Sequence, residues 1–405
     1  MDASLTAATQ LGILNAMNSH KLHPAKFADA QLSPKAYDVE ALKKASRIAI
    51  AESLKVKEGE RVLIITNPDF DVSCISKALY DACMELGAKP VLIYQSVKTQ
   101  MDFAEAAVSA AISSEPEVII SMSAEKLGKD ALGSATPYMH EGRSWNNLFH
   151  LLMYGKKTCR SFWSPSTSLD SFIRTVPIDY AVLSRRCAAI KAVLDSAVQV
   201  RVRAPGGTDV LLGLQGREAK LDDGDFALGG RGGNLPAGET FISPENGTAE
   251  GIIVFDGSIS LHDGDILIKE PVRCTVQSGY VQEITGGAEA AALRETISLA
   301  EKNAHAFERD GKIPKDTGSI YARNARNIGE LGIGLNPEAT ISGAMLEDEK
   351  AFKTCHFAIG HNYDEDAPFL IHLDALVRKP TIIAILADGT EVMIEDGGEL
   401  TEAFR

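Results

Sequence analysis

The segment Ile371-His-Leu-Asp374 places an imidazole and a carboxylate two residues apart. In an extended chain, residues i and i+2 share a face. His372 and Asp374 therefore point the same way and can hold one ion or an adjacent pair, while Leu373 turns toward the core. Three other segments carry the same kind of chemistry. In Asn234-Leu-Pro-Ala-Gly-Glu-Thr-Phe-Ile-Ser-Pro244, Pro236 and Gly238 make a turn that presents Glu239 at the mouth of a strand. In Gly329-Glu-Leu-Gly-Ile-Gly-Leu-Asn336, alternation puts Glu330, Gly332 and Gly334 on one face, so Glu330 looks over a surface bare of side chains. Glu349-Lys350 leads into Thr354-Cys-His-Phe-Ala-Ile-Gly360, with His356 on a short strand, His361 as a substrate-side residue at its exit and Tyr363 in the following loop. Gathering two Glu, two His and an Asp in neighbouring strands is costly without a cation and mutually favourable with one. Oxygen and imidazole ligands without thiolates suit zinc, cobalt, manganese or iron.

Other features exclude competing chemistries. Gly229-Gly-Arg-Gly-Gly233 lacks the helix that a phosphate-cradling loop requires, since a turn, Asn234 to Gly238, follows it; the glycines instead let backbone pass close to other groups. The six cysteines (Cys74, Cys83, Cys159, Cys187, Cys274, Cys355) form no CxxC pair, which argues for reduced core thiols and against a thiolate zinc site. His262 stands in a His-Asp-Gly-Asp turn. A formal net charge of -14 without a basic run argues against nucleic acid and suits hard cations. No run approaches the roughly 18 unbroken apolar residues of a membrane span, and the N-terminus has no leader pattern. A cytoplasmic protein with a small-molecule substrate and no membrane or nucleic-acid partner is expected.

The elements that must position these residues fall into two patterns. Residues 1–37 read as an N-terminal arm. From Asp38 a helical run leads to the buried-strand pattern Arg61–Thr66, then a helix to Leu86, a strand at Pro90–Gln95, a helix near 102–113 and a strand at Glu117–Ser123. Strand, helix, strand at this spacing means a parallel sheet, so residues 38–196 are expected to be an α/β domain, mostly helical after residue 125. From Val198 short alternating runs separated by Gly, Asp and Asn predict an α+β domain over 197–405, rich in antiparallel strands, carrying the site and including one clear helix near 288–310.

The order NLPAGETF, GELGIG with Asn336-Pro337, EDEK, TCHFAIG followed by a Tyr, and IHLD resembles the metallo-aminopeptidases of the aminopeptidase T and aminopeptidase S type from about residue 40 onward. The resemblance implies metal ligation by Glu239, Glu330, His356, His372 and Asp374, with Glu349 a further match and Tyr363 the active-site tyrosine. It implies two divalent ions (zinc, cobalt, manganese or magnesium) about 3.5 to 4 Å apart around a hydroxide nucleophile. Glu330 would be the bridge, with Glu239 or Glu330 as general base and Tyr363 hydrogen-bonding the oxyanion; short peptides would be the substrates and a homodimer the assembly. Two departures stand out. Lys353 replaces a glycine that the family commonly has, and the acidic loop Asp364 to Leu370 replaces a glycine-rich segment, which could recruit an amine or repel carboxylates. The stretch HLDALVRKP also looks like the ring-cleaving dioxygenases of dihydroxypyridine breakdown, which would use a single ferrous ion on His356, His372 and Asp374. A non-catalytic metal- or ligand-binding relative is the third reading.

Overall fold

The computed structural model describes residues 37–99, 102–311, 313–364, 366–368 and 371–405. The arm expected over 1–37 therefore lies, Tyr37 apart, outside the described residues. Two compact units divide the described residues: 37–180 with 224–236, and 181–223 with 237–405.

The first unit is built on a five-stranded parallel sheet in the order Gly232–Asn234, Arg160–Trp163, Val118–Met122, Arg61–Thr66, Lys89–Tyr94. The two strands at its centre are buried almost throughout, as expected where both faces of a parallel sheet are covered, and this is why they read as unbroken apolar runs. Leu63, Ile65, Ile119, Val108, Ile112 and Phe149 form the core against them, each burial being worth about 1.5–3 kcal/mol. Three strands depart from the helical pattern expected after residue 125. Arg160–Trp163 opens on an arginine, whose guanidinium is buried on Glu60 at 2.6 Å and on the Leu54 carbonyl at 2.7 Å, so a charge masks a core strand. Tyr138–His140 and Arg143–Trp145 form a small hairpin. The glycine-rich stretch supplies the fifth strand: a Cβ on Gly232 would lie 2.6 Å from the Ser161 carbonyl, so glycine is what permits the close pairing.

The second unit consists of antiparallel sheets. A seven-stranded sheet runs Gly264–Leu267, Ser258–Leu261, His372–Arg378, Thr354–Gly360, Ile328–Gly334, Glu239–Ile242, Lys220–Asp222. An eight-stranded sheet contains Ala197–Arg203, Asp209–Gly213 and the C-terminal strands Thr381–Leu386 and Glu391–Asp396. The helix Ala288–Arg309 buries Ala290, Leu293, Ile297, Ala300, Ala304 and Phe307 at the three-and-four spacing of one face. No described helix is long and apolar enough to cross a membrane.

Candidate metal centre

Each carboxylate or imidazole that the sequence singles out on the seven-stranded sheet has a small residue opposite it on at least one neighbouring strand, although His356 also faces Leu376 and Glu239 also faces Asp222. Glu330 and Asp374 both pair with Ala358, His356 with Gly332, His372 with Gly360 and Glu239 with Gly334. Because side chains alternate across a strand, this register raises five polar groups on one face and clears the ground between them. A Cβ on Gly332 would lie 2.0 Å from Cε1 of His356, so the imidazole fills the space the glycine leaves. The strands Ile328–Gly334 and Thr354–Gly360 are buried along their whole length, which holds these groups away from water.

The distances are those of ion pairs without hydrogen-bond saturation. His356 Nε2 lies 3.2 Å from Glu330 Oε1 and 3.5 Å from Glu239 Oε2, and His372 Nε2 lies 3.4 Å from Glu330 Oε2 and 3.2 Å from Asp374 Oδ1. Glu330 thus turns one oxygen to each imidazole. Three sets of donor atoms lie within 4.8 Å of one another: Glu239, Glu330 and His356; Glu330, His372 and Asp374; Glu349, His356 and Asp374. Glu239 Oε2, Glu330 Oε2, Asp374 Oδ1 and His356 Nδ1 are buried and accept or donate no hydrogen bond. Orphaned carboxylate oxygens facing imidazole nitrogens fit a divalent cation, which satisfies such atoms together. His372 donates from Nδ1 to the His361 carbonyl at 2.9 Å, since a carbonyl can only accept, and this leaves Nε2 turned to Glu330 and Asp374 and available to an ion.

In the cluster, burial and mutual charge pull the titrations in opposite directions. Burial drags both imidazoles toward the neutral form, yet the carboxylates win: Glu330 and Glu239 help lift His356 to about 9, and Asp374 and Glu330 lift His372 to about 10. Burial raises Asp374, but His372 outweighs it and takes the carboxyl to about 2. Burial, opposed by Lys350, leaves Glu349 raised to about 8 and Asp222 to about 6, and Glu239 is raised on the same balance.

Lys350 is the main residue that sequence reasoning missed. It is wholly buried, and its Nζ lies 2.5 Å from Glu239, 2.9 Å from Asp222 and 2.9 Å from Glu349. A lysine adjoining a candidate ligand in EDEK was the available signal. In that motif the first two acids serve the loop: Glu347 accepts from Thr340 and Asp348 from Ser342 and Gly343. The last two residues face the site. Asn336 joins the segments, donating from its side chain to Ala237 and from its backbone to Lys350. Lys353, found where a glycine is common, adopts φ +68°, so the left-handed turn is kept with a lysine.

Two acids of the acidic loop are paired with cations: Asp364 is held by Arg217 at 3.1 Å and Lys220 at 2.6 Å, and Asp366 by Arg217 at 2.8 Å. Tyr363 is 41% exposed, and its ring stands 5.1 Å from His372 and 5.2 Å from Phe241. Burial around the phenol oxygen, with Glu330, Asp374, Glu349 and Glu239 nearby, raises its pKa, so it remains a hydrogen-bond donor. His361 is buried, and neither ring nitrogen makes a hydrogen bond; burial and the neighbouring His372 lower it to about 4. His262 hydrogen-bonds Thr296 at 2.8 Å, away from the cluster.

The fold recurs in known proteins. The family model described as NicX: 2,5-dihydroxypyridine 5,6-dioxygenase matches residues 165–359, which include Glu239, Glu330, Glu349 and His356. The 2,5-dihydroxypyridine dioxygenase of Pseudomonas putida KT2440 superposes with a TM-score of 0.66 at 17% identity, over 91% of this chain and 100% of that one. Wild-type AmpT from Thermus thermophilus superposes with a TM-score of 0.60 at 17% identity, over 89% of this chain and 99% of that one. No curated protein sequence matches. The chain shares the fold of both and carries a buried candidate metal site.

Proposed function

We propose that this protein is a metal-dependent ring-opening dioxygenase acting on a small hydroxylated aromatic ring of the 2,5-dihydroxypyridine kind. The observation that carries the reading is the aromatic wall beside the open end of the cluster. Two of the three donor sets, Glu330 with His372 and Asp374 and Glu349 with His356 and Asp374, include half-buried members; the Tyr363 ring stands against His372, and Phe241 packs on Tyr363. A planar substrate stacked on that wall would sit next to an ion held in this cluster. The family match over residues 165–359 supports the same reading. A bound ferrous ion would supply the redox chemistry that dioxygen requires. The chain's own contributions are to hold the ion, orient the ring, and donate a hydrogen bond from the Tyr363 hydroxyl to a ring oxygen.

A second reading, the two-ion aminopeptidase, is favoured by one feature: Glu330 directs one oxygen to each imidazole, the arrangement that bridges two cations. The two readings separate in one experiment. Protein loaded anaerobically with ferrous iron is expected to bind one ion, to consume dioxygen with 2,5-dihydroxypyridine and to bleach the ring absorbance. Two zinc or cobalt ions per chain, with release of free amino acids from short unblocked peptides and no oxygen uptake, would replace the first reading with the second.

A further inference from the structure

We infer that Lys350 is a positioning residue that makes Glu239 and Glu349 one-oxygen ligands and so keeps coordination positions of the metal free for substrate. This rests on the reading of the cluster as a metal site. Lys350 Nζ contacts Oε1 of Glu239 at 2.5 Å and Oε1 of Glu349 at 2.9 Å, with Asp222 Oδ2 completing its shell at 2.9 Å. The opposite oxygen of Glu239, Oε2, is the one that turns to His356 and has no hydrogen bond. Glu239 thus has one oxygen committed to the ammonium and one to spare, and Glu349 has its Oε1 committed to the same ammonium.

The commitment is firm because the lysine has nowhere else to go. It is wholly buried, so an ion that recruited Oε1 would strip an ammonium of a partner where bulk solvent does not reach it. A free buried carboxylate next to a divalent ion can chelate through both oxygens and fill two positions. With Lys350 present, Glu239 and Glu349 fill at most one position each. Sites that turn over substrate need such open positions, whereas structural sites close them. The lysine touches neither substrate nor the reacting atoms in this scheme. Its role is exercised through the carboxylates.

Cobalt(II) reports the difference directly, because its visible absorption is strong at low coordination number and weak at six. Wild-type protein loaded with cobalt is expected to show the strong band. Lys350→Met, which frees Oε1 of both carboxylates, is expected to bind cobalt and lose much of that intensity. Lys350→Met/Asp222→Asn removes the cation together with one of its anions, preserving the buried charge balance, and should show the same loss where the single variant does not fold. Cobalt bound with an unchanged spectrum in whichever variant folds would overturn the inference, as would a weak six-coordinate band in the wild type. Failure of wild-type protein to bind cobalt at all would instead refute the metal-site reading beneath it.

Discussion

Replacing Gly332 with alanine tests the register argument at its tightest point. The added methyl would stand 2.0 Å from Cε1 and 2.1 Å from Nε2 of His356. Ordinary contact begins near 3.4 Å, so the ring has to retreat by about 1.4 Å. Gly332 is not among the residues with positive φ, and the backbone itself accepts alanine. The cost therefore falls on the imidazole and its partners. Overpacking of this kind costs about 1–3 kcal/mol of stability. The larger effect is positional: Nε2 leaves its 3.2 Å contact with Glu330 and its 3.5 Å contact with Glu239, and a displacement of about 1 Å in a preorganised site can cost about 100-fold. We expect Gly332→Ala to fold, with a modest drop in Tm, and to bind zinc or cobalt about 100-fold more weakly in a calorimetric titration. Wild-type metal affinity in the folded variant would refute the reasoning, because it would mean that His356 can move that far without consequence.

Other perturbations probe the surroundings. Metal affinity should rise steeply between pH 6 and pH 8, by about tenfold per pH unit for each proton displaced, because His356 and His372 are lifted to about 9 and 10 in the ion-free protein; a flat profile would contradict this. In chelator-treated protein, the His372 contribution to stability is complete below pH 6.5 and fades as pH rises to about 10, whereas that of Asp374 is complete above 3.8 and is lost as pH falls to about 2. Urea midpoints across pH should follow that window and lose their alkaline decline once metal is added. Arg217→Ala should cost about 2 kcal/mol and raise KM more than it lowers kcat, since it releases the loop behind Tyr363; an unchanged KM would show that the loop does not shape the substrate site. Glu395 is buried with neither oxygen hydrogen-bonded, and burial raises it to about 8. Ionisation is thus easier in the unfolded chain, so Glu395→Gln should stabilise the protein on the order of 1–3 kcal/mol at pH 7. The gain should vanish below the ordinary value of 4.5, and equal Tm values for variant and wild type at pH 7 would exclude it.

The sequence by itself determined the local facts. Alternation alone places His372 with Asp374, and Glu330 with Gly332 and Gly334, because side-chain direction in a strand depends only on residue number. Apolar runs separated by helices were enough for the parallel sheet, since its central strands are buried on both faces. Tertiary structure decided what lies across from what. The pairings of Glu330 with Ala358 and of His356 with Gly332 join segments far apart in the chain, and register is a property of two strands that neither carries alone. The same is true of charge. Lys350 reads as a surface lysine in EDEK, and Asp364 as a free acid in an acidic loop. Only folding brings the first onto Asp222 and Glu239 and the second onto Arg217 and Lys220. The strand Arg160–Trp163 was hidden for a related reason: its arginine reads as solvent-facing until Glu60 and the Leu54 carbonyl, about a hundred residues earlier, accept its hydrogen bonds. A buried charge looks like an exposed one until its partner is known, and the partner is chosen by the fold.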